Sequence, residues 1–373
     1  MKMIFISNLV TPHVKFITDH FYDIFGNDFC AIETLACEEP QIPIGWRPKN
    51  KSKYVITQKE FSENKEKYMQ IIDESDVVII GSAPIKLIKN RLNCGKLTFR
   101  YSERVYKKKR PWYELPLRAV KYYFEIERYK NLYLLCASAF VAGDYAKTGT
   151  FRNRTYKWGY FPQTKEYDIQ KLLSEKTENS ILWVGRLIDW KHPEIPVQIA
   201  KNLKAHGYDF QLNIIGTGNM DDEIKSLVKK EGLENNVHVL GSMSPEEVRE
   251  YMEKSKIYIF SSDRQEGWGA VLNESMSSGC AVVACKEIGS VPYLLENGVN
   301  GFVYDRKDLE SLYQQVFQLI ENKVLRETMQ RHAYDTMQSL WSAGVAVDRL
   351  LYLIDCIGKG KEPEWQTGPC SRD

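Results

Sequence analysis

No apolar run in these 373 residues approaches the ~18 residues that a membrane-spanning helix needs. The N-terminus, Met1-Lys2-Met3-Ile4-Phe5-Ile6-Ser7, reaches polar Asn8 almost at once. It carries neither the longer apolar stretch nor the small-residue cleavage site of a secretory signal. No C-x-x-C pair occurs among the eight cysteines, Cys30, Cys37, Cys94, Cys136, Cys280, Cys285, Cys356 and Cys370. Most sit in apolar runs, so they read as small buried hydrophobes in a reducing cytosol rather than as disulfides or zinc ligands. The first strand-to-helix turn, Ser7–His13, lacks the G-x-G-x-x-G run, which argues against a dinucleotide-dependent dehydrogenase. The net charge is only +2, and no nucleic-acid recognition module is visible.

What is present describes a soluble globular chain, with 43% hydrophobic and 27% charged residues. Its length exceeds one ordinary core, so two domains are expected. Short apolar runs at Met3–Ile6, Phe29–Ile32, Val77–Ile80, Leu97–Phe99 and Leu132–Cys136 alternate with helical patterns. After the first run, Val14, Ile17, Phe21, Ile24 and Phe25 mark one helix face, and Gly26 suits its end. The second half repeats the alternation, with strands expected at Ile181–Val184, Phe210–Ile215, Val237–Leu240, Ile257–Phe260, Ala281–Ala284 and Phe302–Tyr304. Helices are expected at Asp222–Lys230 and at Pro245–Met252, the latter opened by a Ser244/Glu247 capping box. Gln163–Ser180 is polar and reads as a linker with a short surface helix. From Leu309 to Ile357 the pattern is helical throughout. Unbroken apolar strands alternating with amphipathic helices predict an α/β fold of two doubly wound, Rossmann-like parallel sheets facing a cleft. The expected domains are 1–165 on the acceptor side, with a C-terminal crossover helix at about 341–373, and 175–340 on the nucleotide side.

Four segments at expected strand ends carry the chemistry. In Glu266-Gly267-Trp268-Gly269-Ala270-Val271-Leu272-Asn273-Glu274, two glycines let the backbone approach a ligand before a helix begins near Ala270. Such a helix start offers N–H groups and a positive dipole end to a phosphate. Glu266 on the loop and Glu274 one turn into the helix could each accept from a diol, although solvated acids are the usual fate of Glu. In Val184-Gly185-Arg186-Leu187-Ile188-Asp189-Trp190-Lys191, Arg186 and Lys191 put two cations where a diphosphate could sit, against the plainer reading of an exposed basic loop. Gly216-Thr217-Gly218 and Gly241-Ser242 end the next two strands with glycine turns that are common in α/β proteins.

In this order the four segments resemble glycosyltransferase family 4, the retaining nucleotide-sugar transferases of the GT-B fold. Gly185-Arg186 with Lys191 is similar to that family's G-R-x(4)-K segment, and Glu266 through Glu274 to its E-x(7)-E motif. Gly279-Cys280-Ala281-Val282-Val283-Ala284 and Gly298-Val299-Asn300-Gly301-Phe302-Val303 resemble its later strand and turn. The likeness is specific over about Ile181–Asp305. It implies that Arg186 and Lys191 hold the donor diphosphate and stabilise the charge that grows on it. By the same likeness Glu266 and the Gly267–Gly269 amides meet the transferred sugar, Glu274 binds the ribose, and Gly185, Gly216, Gly218, Gly241, Trp268, Ala270 and Val271 complete the donor site. No metal and no cofactor is implied; a UDP-, GDP- or ADP-sugar is the substrate, and the acceptor is a glycan or lipid-linked glycan of surface polysaccharide assembly.

The chain departs from the family in two places. Where the family has a first-domain His, this chain offers Ser102 or Glu103 after the strand Leu97–Phe99, and Glu103 is taken as the catalytic candidate. His13, in the first strand–helix loop, is a further donor-side candidate. Gly289-Ser290-Val291-Pro292-Tyr293 replaces a G-x-P-E run, with Tyr293 at the Glu position. Two other readings stand beside transfer: a nucleotide-sugar epimerase of the same fold, and a non-catalytic nucleotide-sugar-binding subunit of a transferase complex. Finally, between Lys96 and Lys130 eleven bases oppose four acids, with Trp112, Tyr113, Leu115, Leu117, Tyr122, Tyr123 and Phe124 interleaved. That composition suits an anionic membrane surface, and suggests a cytoplasmic protein peripheral to the inner membrane face.

Overall fold

The computed structural model describes residues 1–36, 51–108, 111 and 113–373. Cys37, Lys109, Arg110 and Trp112 lie outside the described residues. The chain divides into two compact units, Met1–Gln163 with Ser342–Asp373, and Thr164–Trp341. Among the described residues no helix is long and apolar enough to cross a membrane.

The first unit is built on a parallel sheet of β1 (Met3–Ser7), β2 (Phe29–Glu33), β3 (Val55–Ile56), β4 (Val77–Ile80), β5 (Thr98–Ser102), β6 (Leu132–Cys136) and β7 (Thr155–Lys157). Their order across the sheet is β3-β2-β1-β4-β5-β6-β7. Phe5 of β1 lies between Ala31 and Ile79 of its neighbours. Ile4, Ile6, Val78, Ile80 and Leu134 enter one continuous core, as expected of strands covered on both faces. The helix Pro12–Phe25 buries Val14, Ile17, Thr18 and Phe21, and ends at Gly26 with φ 52°. The spacing had put Ile24 on that face as well. It falls at the edge of the stripe in the last turn, and is 49% exposed.

Three sequence expectations are corrected here. The fifth strand is not Leu97–Phe99 but Thr98–Ser102, because pairing with β6 carries it through polar Arg100, Tyr101 and Ser102. The short edge strands β3 and β7 carried no apolar run to reveal them. In the second unit, residues 163–180 hold the short surface helix expected there, but the segment is anchored rather than a free linker. The helix Ile169–Glu175 buries Leu173, and the Lys176 ammonium is enclosed by the carbonyls of Met252, Glu253, Ser255 and Ser278 at 2.8–3.0 Å. Burial pushes its pKa down, and the four acceptors make a buried lysine tolerable.

The second unit carries β8 (Ser180–Val184), β9 (Gln211–Ile215), β10 (Val237–Val239), β11 (Ile257–Phe260), β12 (Ala281–Cys285) and β13 (Phe302–Tyr304). The order is β10-β9-β8-β11-β12-β13, again all parallel. The Ser244/Glu247 capping box forms as its sequence signature requires, and opens the helix Pro245–Lys254. In each sheet the winding reverses between two neighbours, β1 and β4 in the first, β8 and β11 in the second. The loops leaving those strands diverge at their carboxyl ends, which is where open α/β sheets receive ligands.

Candidate functional site

The loops after β8 and β11, on either side of the second switch point, carry the predicted chemistry. Residues 185–187 lie against residues 216–218. The Gly185 amide donates to the Ile215 carbonyl at 3.0 Å, and the Leu187 amide to that of Thr217 at 3.0 Å. The approach is so close that a Cβ on Gly216 would stand 1.8 Å from the Gly185 oxygen, and one on Gly218 2.1 Å from the Leu187 oxygen. Gly216 (φ 140°) and Gly218 are therefore fixed by backbone crowding. Gly241 (φ 75°), whose carbonyl accepts the Gly216 amide at 2.7 Å, has open space around it.

Ser261, at the end of β11, ties the two loops together. Its hydroxyl accepts the Trp183 indole N–H at 2.9 Å and faces the Lys191 and His192 carbonyls at 2.8 and 2.9 Å. The Asp263 amide adds a bond to the Trp190 carbonyl at 2.9 Å. His192 holds a left-handed φ of 52° beside this staple, its Nδ1 2.9 Å from Glu194. Neither Ser261 nor His192 was read from the sequence, where a serine after a strand and a histidine after a lysine give no signal.

The staple delivers Lys191 to Glu266. The two side chains form an ion pair, each only 12% exposed, and the Ser262 hydroxyl donates to the same carboxylate oxygen at 3.1 Å. Residues expected to serve separate parts of a donor thus neutralise one another here. Arg186 is exposed, with its guanidinium 5.8 Å from the Trp190 ring centre; the Lys191 ammonium lies 4.9 Å from the same ring. Two cations therefore flank one indole, an arrangement that cation–π attraction favours.

Gly269 precedes the helix Ala270–Ser277 with φ 88°, and no side chain caps that helix. A Cβ there would meet the Phe260 ring at 2.5 Å. The Leu272 amide is taken by the Gly269 carbonyl at 3.0 Å, which leaves the Ala270 and Val271 amides for a ligand or water. Gly267 is buried within the loop. The Trp268 ring does not line the site. It is 1% exposed, donates to Asn273 Oδ1 at 2.8 Å, and packs on Tyr293 and Trp341 at 6.1 and 5.9 Å between ring centres. Tyr293 in turn stacks on Trp341 at 5.9 Å, so the tyrosine in the family's Glu position serves an aromatic core. Glu274 is half-buried. Burial, and then the carboxylates of Glu266 and Glu274, push the phenol of Tyr258 well up, which sets both acids around one buried residue of β11.

In the first unit His13 is not in a loop. It is the second residue of the helix Pro12–Phe25, held there because Pro12 starts the helix immediately before it. Its ring stacks on Tyr160 at 5.6 Å, and its buried Nδ1 has no hydrogen-bond partner. The Tyr160 hydroxyl donates to Glu103, whose other oxygen meets Lys107 at 2.5 Å. Ser102 lies within β5 and donates to the Glu103 carbonyl at 2.9 Å. His13 and Glu103, far apart in sequence, are thus joined through Tyr160, which the sequence reading passed over. Among the described residues no group of three or more His, Cys, Asp and Glu side chains is placed to hold a metal ion.

Residues 164–336 match the model of the family described as glycosyl transferases group 1. Among curated proteins, the chain is 29% identical over 137 residues to the amylovoran biosynthesis glycosyltransferase AmsK of Erwinia amylovora (35% of this chain, 33% of that protein). It is 30% identical over 175 residues to N-acetylgalactosamine-N,N'-diacetylbacillosaminyl-diphospho-undecaprenol 4-alpha-N-acetylgalactosaminyltransferase of Campylobacter jejuni (47% of this chain, 46% of that one). The chain spans less than half the length of these curated relatives. Among solved structures, Anabaena Alr3699/HepE in complex with UDP superposes with a TM-score of 0.69 at 17% identity, over 96% of this chain and 100% of that one. At that identity the likeness shows the fold, which is GT-B.

Proposed function

With residues 164–336 belonging to the glycosyl transferases of group 1, we propose that the chain moves a sugar from a nucleotide-sugar donor to a glycan or lipid-linked glycan acceptor. The anomeric configuration is retained, and the product enters surface polysaccharide assembly in the cytoplasm. The observation that carries this reading is the meeting of Arg186, Lys191 and Glu266 at the switch point of the second sheet. A diphosphate entering beside Trp190 competes with Glu266 for Lys191. As the phosphate takes the ammonium, the carboxylate is released to accept from hydroxyls of the transferred sugar. Arg186 and Lys191 then face the oxygen on which charge develops when the glycosidic bond breaks, and fixed cations there favour the transition state over the bound donor. The uncapped helix start at Ala270 supplies N–H groups to the same phosphates, and Glu274 takes the ribose diol. Gly185, Gly216, Gly218 and Gly241 shape this floor, and Trp268 holds its far wall from behind.

In the first unit, Tyr160 links Glu103, the catalytic candidate, to His13, the donor-side candidate of that unit. The nucleotide assignment is supported by the UDP complex of the Anabaena neighbour. The acceptor class is supported by the diphospho-undecaprenol in the Campylobacter relative's name, and the pathway by the amylovoran relative. Work against an anionic membrane surface belongs to the same reading, from the basic excess between Lys96 and Lys130.

A thermal-shift screen against UDP, GDP, ADP and their sugars tests it, with Glu274→Ala as control. A nucleotide at ~100 times its Kd stabilises by about 2.7 kcal/mol. A shift with one base, lost in the variant, is the expected result. No shift with any nucleotide would remove the donor site and leave the family's fold without its chemistry.

A further inference from the structure

Residues 113–124 combine exposed apolar surface with surplus positive charge. Five of the eleven large hydrophobic side chains exposed among the described residues fall within these twelve positions: Tyr113, Leu117, Val120, Tyr123 and Phe124, each more than half exposed and Leu117 78%. The helix Glu114–Tyr122 buries none of its own residues, and runs on into a π-turn at Tyr123–Glu127. At 3.6 residues per turn, Tyr113, Leu117, Val120 and Phe124 fall within about 60° of arc. The opposite side faces the protein. There Tyr122 packs on Tyr145 at 5.9 Å, Arg118 lies 5.7 Å from the Tyr106 ring, and Ile126 is buried. One side thus holds the helix to the first unit, and the other presents a coherent apolar stripe to the outside. A helix this short is not stable for its propensity alone, and an apolar stripe kept in water calls for something to cover it.

The charge around the stripe selects the cover. Eleven bases oppose four acids over Lys96–Lys130, and Lys121 and Lys130 keep side-chain exposures of 64% and 74% despite pairing with Glu125 and Glu127. A second copy of this chain would bring the same cation excess to the same face, and the like charges would oppose contact. An anionic lipid surface offers both what the stripe needs and what the cations need. We propose that the Leu117/Val120/Phe124 face docks the first unit on anionic lipid. Tyr113 and Tyr123 then lie at headgroup level, and Lys121 and Lys130 reach the lipid phosphates. This deepens the membrane association proposed above, and is independent of the donor site.

The test is flotation of the full chain with vesicles of phosphatidylglycerol and phosphatidylcholine, and with phosphatidylcholine alone, at low and high salt. The variants are Leu117→Ser/Phe124→Ser and Lys121→Glu/Lys130→Glu. Wild type is expected to float with anionic vesicles. The apolar variant binds at least about tenfold more weakly, and the charge variant loses the preference for anionic lipid. All four positions face outward, so melting temperatures and the nucleotide shift stay as in wild type. Equal flotation of wild type and apolar variant, or no flotation of wild type, overturns the proposal. So does a wild-type dimer in sedimentation that the apolar substitutions dissolve. A chain that floats but shows no nucleotide shift loses the donor reading and keeps this surface; a chain that shifts but does not float does the reverse.

Discussion

The two sheets are wound alike, yet their carboxyl-end rims are made of different material. In the second unit the rim is backbone against backbone. Gly216 and Gly218 let two loops cross at distances that no side chain permits, and two cations and a carboxylate are set on that frame. In the first unit the corresponding rim is made of side chains. His13 stacks on Tyr160 and Tyr160 bonds Glu103, while a Cβ on Gly81, after β4, would come no closer than 3.2 Å to Ser7 Oγ, a side-chain atom, against 1.8 Å to backbone at Gly216. A rim built from backbone proximity can accept a constant ligand such as a diphosphate, whereas a rim built from side chains can be re-specified residue by residue. This division suits the transfer proposed above, in which the donor diphosphate is common and the acceptor is particular.

The sharpest break in the comparison is Lys191→Ala. Removing one placed cation is expected to lower turnover by 10²- to 10³-fold, with nucleotide binding weakened less, as read from kcat and KM for donor consumption. A raised KM with kcat unchanged would make Lys191 a binding residue only. Next comes Gly216→Ala, which drives a methyl into the Gly185 carbonyl. A loss of more than about 3 kcal/mol in denaturant unfolding is expected, against about 1 kcal/mol for Gly241→Ala, where only the positive φ is strained. Similar costs at the two positions would show that crowding does not set the rim.

Tyr160→Phe acts on the other unit. It removes one hydroxyl from Glu103 and is expected to cost about 1 kcal/mol or less in stability. Transfer to acceptor falls several-fold, while the nucleotide thermal shift is unchanged. A reduced nucleotide shift would place Tyr160 on the donor side.

The smallest effect is in acid. Hydrogen bonds from Lys51 and from the Thr57 amide and hydroxyl hold the Glu60 carboxyl at about 2. A carboxylate depressed in the folded state stabilises fully above its unfolded value, and loses that contribution as pH falls through about 2. Glu60→Gln should flatten the stability profile of the first unit between pH 4.5 and 2, by little, because the pair is about 44% exposed.

The same contrast explains what could be read in the sequence. The apolar strands Val77–Ile80, Leu132–Cys136 and Ile257–Phe260 coincide with β4, β6 and β11, because a strand buried on both faces has to be an unbroken apolar run. β3 and β7, two and three residues long at the sheet edges, left no such trace, and β5 outran its apolar core. In the second unit the glycines and charges sit at fixed offsets from strands, so they form a motif. The Lys191–Glu266 pair spans 75 residues, and the Ser261 staple joins loops 70 residues apart; such contacts follow from the strand order and not from local spacing. Trp268 stood inside the motif and was read as a ligand contact, whereas its size and its indole N–H, satisfied by Asn273, put it in the core. Tyr160 escaped notice because a lone tyrosine after a glycine marks nothing until β7 brings it beside His13.

Whether Arg186 and Lys191 hold a diphosphate is decided by isothermal titration of the full chain with a nucleoside diphosphate and with its monophosphate, for wild type and for Arg186→Ala/Lys191→Ala. The diphosphate is expected to bind wild type more tightly than the monophosphate, and the double variant to abolish this difference while Tyr160→Phe leaves it intact. Diphosphate and monophosphate binding equally to wild type, or a preference that survives loss of both cations, would contradict it.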